Sequence, residues 1–311
     1  MSASLCGKSE ALAANVILLL LTRKDENLVV HIAYHRQIAD TAKWMEIFIV
    51  ANRLSKKNGA VVLIVALLVV GSLTVFFTYP TGMEGVRVAV YNDSGVLPDS
   101  ATALLNMFRW MHAEANFVNS TDIQQGVLDD YDIIVFPGGP APEYSASLGT
   151  VGREAVIDFV AGGGSYFGIC GGSSFGTNTY LGLFNGYASG QVNGSGIKLI
   201  RMDVNINSTG PNLSSEPSTY KVLYWNSGYF YSSNATYMST VNPIVFYAET
   251  TEPAMIACRY GSGTVFLSFP HPEYEEGGTR DGTDQFDYYN DPDSEWTLLM
   301  QVSLWLVEAS K

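Results

Sequence analysis

The sequence predicts an α/β domain in three layers, a mostly parallel sheet with helices on both faces, preceded by a single transmembrane helix. Three observations predict it. From Val86 onward, short apolar runs alternate with amphipathic stretches, the signature of strand–helix–strand units. Several of those runs end in glycine clusters, as strands do where a chain turns sharply into a helix. Before them, residues 60–79 read AVVLIVALLVVGSLTVFFTY, without a charge. At the helical rise this run is about 30 Å long, the thickness of a hydrocarbon core.

The expected organisation is an N-terminal cytoplasmic segment (1–59), the transmembrane helix (60–79) and an extracytoplasmic domain (80–311). Arg53, Lys56 and Lys57 precede the span, whereas only Glu84 and Arg87 follow closely, so the positive-inside rule leaves the N-terminus in the cytoplasm. Glycosylation acceptors at Asn92, Asn119, Asn193, Asn207, Asn212 and Asn234 all follow the span, which suits a glycoprotein domain outside. Within the first segment, the apolar stretch 11–21 is too short to cross a membrane. Residues 40–54 show a loose helical pattern through Trp44, Ile47, Phe48 and Ala51.

Val86–Tyr91 reads as a strand, and 100–115 as a helix with Ser100 as its N-cap. Tyr131–Pro137 is a second buried strand that runs into Gly138 and Gly139. A helix over 151–161 ends at Gly162-Gly163-Gly164. The strand 164–169 leads to Cys170, followed by a short helix near 173–180. The region 191–247, rich in Asn, Ser, Thr and Tyr, reads as irregular strands and loops over the sheet. Residues 254–259 and 264–269 form a hairpin around Tyr260-Gly-Ser-Gly263, and 296–308 is a closing amphipathic helix.

Composition narrows the function. The chain is 47% hydrophobic and 15% charged, too apolar for disorder. Its net charge of −13 is uneven: eight Lys/Arg stand against five Asp/Glu in 1–59, and nine against twenty-five in 80–311. A domain that acidic repels phosphate backbones, so no nucleic-acid partner is expected. Cys6, Cys170 and Cys258 make no disulfide framework, although the sequence leaves a Cys170–Cys258 bridge open. Cys258, in an apolar run, reads as a small buried hydrophobe.

Two motifs carry the chemistry. Gly168-Ile-Cys170-Gly-Gly172 ends one strand, and His271-Pro-Glu273 ends another. A cysteine among glycines at a strand end suits a nucleophile elbow, where bulkier neighbours would clash. The helix that follows would lower the thiol pKa through its dipole and free N–H groups. His271 and Glu273, two apart, point the same way and supply a base and the group that orients it. The Gly171 N–H, with one from the Gly138-Gly139 turn, would form an oxyanion hole. No cofactor and no metal are expected. The acidic stretch from Glu275 to Glu295 matches no EF-hand spacing and reads as a solvated loop.

With these motifs in view, the chain resembles the class I glutamine amidotransferase-like superfamily, and more closely the domain at the N-terminus of fungal-type biotin–protein ligases. The matching stretches are 132–140, 157–172, 224–230 and 260–273. The resemblance implies a flavodoxin-like sheet and a triad of Cys170, His271 and Glu273. These 311 residues include no biotin–ligase catalytic domain, so biotinylation is not expected. The expected activity is a membrane-anchored, extracytoplasmic thiol amidohydrolase or acyl-transfer enzyme acting on a small amide or peptide. The alternative is a non-catalytic surface domain that binds a ligand or protein partner through the aromatic segment 220–237.

Overall fold

Along the strand Arg87–Tyr91, Val88 and Val90 pack on one side of a sheet while Ala89 and Tyr91 pack on the other. That alternation, imposed by the pleat, sorts the interior into two layers of core. The computed structural model describes residues 16–24, 27–38, 41–51, 82–291 and 293–310. The chain divides into two compact units, Met1–Tyr79 and Pro80–Lys311.

In the first unit, β1 (Val16–Lys24), β2 (Asn27–Ile38) and β3 (Thr41–Ala51) form an antiparallel sheet in that order. The helical pattern expected over 40–54 is therefore corrected. Trp44, Ile47, Phe48, Ile49 and Val50 are aromatic or β-branched, and such residues favour a pleated strand. Among the described residues no helix is long and apolar enough to cross a membrane. The expected span, 60–79, lies outside the described residues.

The second unit is built on a nine-stranded sheet. Its strands are β4 (Arg87–Tyr91), β5 (Glu114–Val118), β6 (Ile133–Phe136), β7 (Ser165–Ile169), β9 (Ile197–Val204), β10 (Thr219–Trp225), β12 (Asn242–Tyr247), β13 (Pro253–Tyr260) and β14 (Gly263–Ser268). They lie in the order β10-β9-β12-β13-β14-β7-β6-β4-β5. The five strands β5, β4, β6, β7 and β14 are mutually parallel. Counted along the chain their order is 2-1-3-4-5, the flavodoxin-like arrangement. β13, β12, β9 and β10 extend this half antiparallel. The sheet is thus mixed rather than mostly parallel, and the region 191–247 largely continues it instead of lying over it. Two short strands, β8 (Tyr187–Ser189) and β11 (Tyr229–Tyr231), pair as a separate ribbon.

Helices cover both faces. On one, α1 (Pro98–Trp110) and α6 (Trp296–Ala309) bring Leu104, Phe108, Leu299 and Val302 against Val88, Val90 and Phe167. On the other, α3 (Ala141–Ala161) and α4 (Gly171–Phe175) bring Leu148, Val156 and Phe175 against Tyr91, Ile134 and Phe136. Two small helices, α2 (Ser120–Gln124) and α5 (Ala235–Met238), complete the set. β6, β7 and β14 are buried along their whole length, which is why they read as continuous apolar runs.

Three element boundaries differ from expectation. α1 starts at Pro98, whose fixed φ suits the first helical position, so Ser100 lies inside the helix rather than capping it. The helix also stops at Trp110, and Glu114–Val118 forms β5. α3 begins at Ala141, ten residues before the expected start, and carries a break at Gly149 (φ 58°, ψ −166°).

Candidate active site

Cys170 stands where β7 gives way to α4, with φ 52° and ψ −110°. This backbone conformation costs a side-chain-bearing residue on the order of 1–3 kcal/mol. The fold holds it there: the Cys170 N–H donates to the Ser268 carbonyl of β14 at 2.7 Å. Its neighbours must be glycine for a steric reason. A Cβ on Gly171 would lie 1.5 Å from the Gly139 carbonyl oxygen, and one on Gly139 would lie 2.0 Å from that of Gly95. The two glycine loops therefore approach as only bare backbone can.

His271 follows the end of β14. Its N–H donates to the Leu223 carbonyl at 2.9 Å, and the two residues form an antiparallel bridge. Leu223 belongs to β10, at the far edge of the sheet order, so the antiparallel half curls back over the site. His271 Nδ1 donates to Glu273 Oε1 at 2.9 Å, and both side chains are fully buried. The Trp296 indole N–H donates to the Glu273 carbonyl at 3.0 Å, tying α6 to this turn.

The other ring nitrogen, His271 Nε2, is buried without a hydrogen-bond partner. Cys170 is close enough for the two groups to shift each other's titration. Burial pushes the Cys170 thiol up, but the His271 charge and the Gly171 N–H outweigh it, so the thiol sits below its ordinary range. Burial pulls His271 down, but the charges of Glu273 and Cys170 outweigh that and raise it to about 10. Both shifts move the pair in the direction of thiolate and imidazolium. α4 is five residues long, so its dipole adds little, and the lowering comes from His271 and Gly171 instead.

Ser100 completes the cluster. Its Oγ donates to Glu273 Oε1 at 2.7 Å and accepts the Gly138 N–H at 2.9 Å. The Gly138 N–H is thereby committed and is corrected as an oxyanion donor. Among the described residues, the Gly139 N–H makes no hydrogen bond to other backbone, and the Gly171 N–H opens α4, where no helical acceptor exists. Sequence reasoning missed Ser100 in this role, because its partner lies 173 residues away.

A cavity of about 490 Å³ opens over these groups, lined by Gly139, Cys170, Gly171 and Trp225 among others. It lies beyond the carboxyl ends of β6 and β7, where open α/β sheets bind ligands. The Trp225 ring lies 5.7 Å from the His271 ring, and Trp225 to Gly228 of the aromatic segment 220–237 line the cavity. Tyr220, Tyr224 and Phe230 are buried packing residues. A second cavity, of about 560 Å³, lies at the opposite strand ends by Asp132 and Gly164, away from the nucleophile.

Residues 86–194 match the family model described as biotin-protein ligase, N terminal. This stretch is therefore similar to the N-terminal domain of biotin-protein ligases. The match takes in Gly138, Gly139, Cys170 and Gly171, and it ends before His271 and Glu273. An uncharacterized protein of Chlamydia muridarum is 27% identical over 218 residues, which span 62% of this chain and 82% of that protein. A solved glutamine amidotransferase of Thermotoga maritima is 17% identical, with a TM-score of 0.44, covering 73% of this chain and 90% of that chain.

Cys258 and Cys170 are both free, so the bridge left open by the sequence does not form. Burial pushes Cys258 up to about 12, which leaves it an inert packing thiol. The acidic stretch is a further correction. Glu276, Asp281, Asp291 and Glu295 are buried rather than solvated. Arg280 beside them pairs with Glu275 and stacks on the rings of Trp110 and Trp296, folding the loop down. Among the described residues, no group of three or more potential ligands is arranged to hold a metal ion.

Proposed function

We propose that this protein is a thiol amidohydrolase or acyl-transfer enzyme, anchored in a membrane through residues 60–79 with its biotin-protein ligase N-terminal-type domain outside. The observation that carries the reading is the buried 2.9 Å pair of His271 and Glu273 beside a cysteine held in strained backbone. Strain of this kind persists where the presented side chain is used.

In the proposed reaction, Cys170 Sγ attacks the carbonyl carbon of an amide. The carbonyl oxygen takes up negative charge and is met by the N–H groups of Gly139 and Gly171. His271 passes its proton to the departing nitrogen, the C–N bond breaks, and an amine or ammonia leaves a thioester on Cys170. Water, or an acceptor nucleophile, then attacks the thioester while His271 takes the proton. Glu273 holds Nδ1–H, which leaves Nε2 free to serve the thiol throughout.

The test is thioester trapping. Mixed with an amide library and quenched in acid, the protein gains an acyl mass on Cys170, and Cys170→Ala gains none while melting within about 3 °C of the parent. Absence of any adduct, with Cys170→Ala markedly less stable, would mark Cys170 as a packing residue. Topology is read by protease protection of sealed vesicles bearing the protein in its cellular orientation. Digestion of residues 80–311 from the cytoplasmic side would contradict the anchoring.

A further inference from the structure

Apart from Cys170 itself, the cavity over it is lined by uncharged side chains. Among the described residues, none that faces it is Asp, Glu, Lys, Arg or His. Its polar groups are neutral: Ser174 and Ser189 hydroxyls, Gln191 and Asn226 amides, and the backbone at Gly190 and Gly228. Its apolar walls are Tyr180, Trp225 and Phe269. The volume of about 490 Å³ is room for roughly sixteen waters, more than one free amino acid fills.

A free amino acid would bring an ammonium and a carboxylate into this space. Taking such charges out of water is costly unless each meets an opposite charge, and apart from the Cys170–His271 pair these walls supply none. Of the cations elsewhere in the domain, Arg280 pairs with Glu275, and the Lys198 ammonium donates to the Asn193 carbonyl. The surplus of acidic residues in 80–311 further disfavours a carboxylate. Neutral hydroxyls, side-chain amides and bare backbone match the N–H and C=O groups of a peptide chain.

We infer that the site takes an uncharged, chain-embedded amide of peptide type and discriminates against free amino acids such as glutamine. This rests on the reading of Cys170 as nucleophile.

The experiment uses the full-length protein and two labels with one chloromethyl ketone warhead on a glutamine-like side chain. One label carries free amino and carboxylate groups; in the other both are blocked as N-acetyl and N-methylamide. Intact mass gives the rate of modification at Cys170. The blocked label is expected to react faster by on the order of 10- to 100-fold, the size of leaving charged groups unpaired. A zwitterionic label that reacts as fast or faster overturns the inference while leaving the nucleophile standing. If neither label outpaces its reaction with a free thiol in solution, the nucleophile reading falls and takes the inference with it. In Gln191→Arg, which puts a guanidinium at the lip, a label with only the carboxylate free should gain rate while the blocked label holds. A gap that stays unchanged there overturns the electrostatic basis.

Discussion

Ser100 and Glu273, 173 residues apart in the chain, share a buried hydrogen bond of 2.7 Å. The same hydroxyl accepts the Gly138 N–H, so one side chain joins the glycine loop after β6 to the carboxylate behind His271. Helix α1 thereby sets the position of both the base and the oxyanion loop.

Ser100→Ala removes both hydrogen bonds, leaving the buried Gly138 N–H unpaired and Glu273 Oε1 with His271 Nδ1 as its remaining partner. Stability should fall by about 1–3 kcal/mol in chemical denaturation. The alkylation rate of Cys170 should fall too, with its pH profile moved, because Glu273 and His271 lose their fixed placement. A variant with parent stability and an unmoved profile would show that Ser100 only fills space.

The buried carboxyls predict a stability that declines with pH. Burial is the first cause for each, and a neighbouring carboxyl adds to it: Asp291 at Glu276, Asp293 at Asp291 and Glu276 at Glu295. Glu276 is raised to about 8, Asp291 to about 6, and Glu295 well above its ordinary value. Asp293 and Glu273 add negative charge, and Lys221 partly offsets it at Asp291. A carboxyl raised in the folded state contributes stability that is full below its unfolded pKa and lost as pH rises through the folded value. Melting temperature should therefore drop by about 5 °C or more from pH 5 to pH 8.5. Glu295→Gln, neutral at every pH, should flatten that slope. A melting temperature that rises over this range would contradict the assignment.

Much of this domain could be read in advance, and the exceptions have physical causes. The elbow at Cys170 and the hairpin that delivers His271 were legible because glycines and short apolar runs mark local geometry. The strand Glu114–Val118 was not, since only Ala115 and Val118 are buried in it and its pattern gives no clean period. Ser100 looked like a cap because its hydroxyl partner is distant in sequence. The acidic loop looked solvated because its burial depends on Arg280 reaching Trp110 and Trp296, contacts that no local pattern encodes. Which glycine N–H stays free for an oxyanion likewise depended on Ser100.

The central claim is that His271 activates Cys170, and iodoacetamide labelling across pH tests it directly. With His271 beside it, the thiol is shifted below its ordinary value, so the parent should label faster at neutral pH than a free thiol and rise less steeply with pH. In His271→Ala only burial, the Glu273 charge and the Gly171 N–H remain. The thiol should then rise above its ordinary value, and labelling at pH 7 should fall by about tenfold or more. Parent and His271→Ala proteins that label at the same rate, each with the pH dependence of a free thiol, would contradict the account.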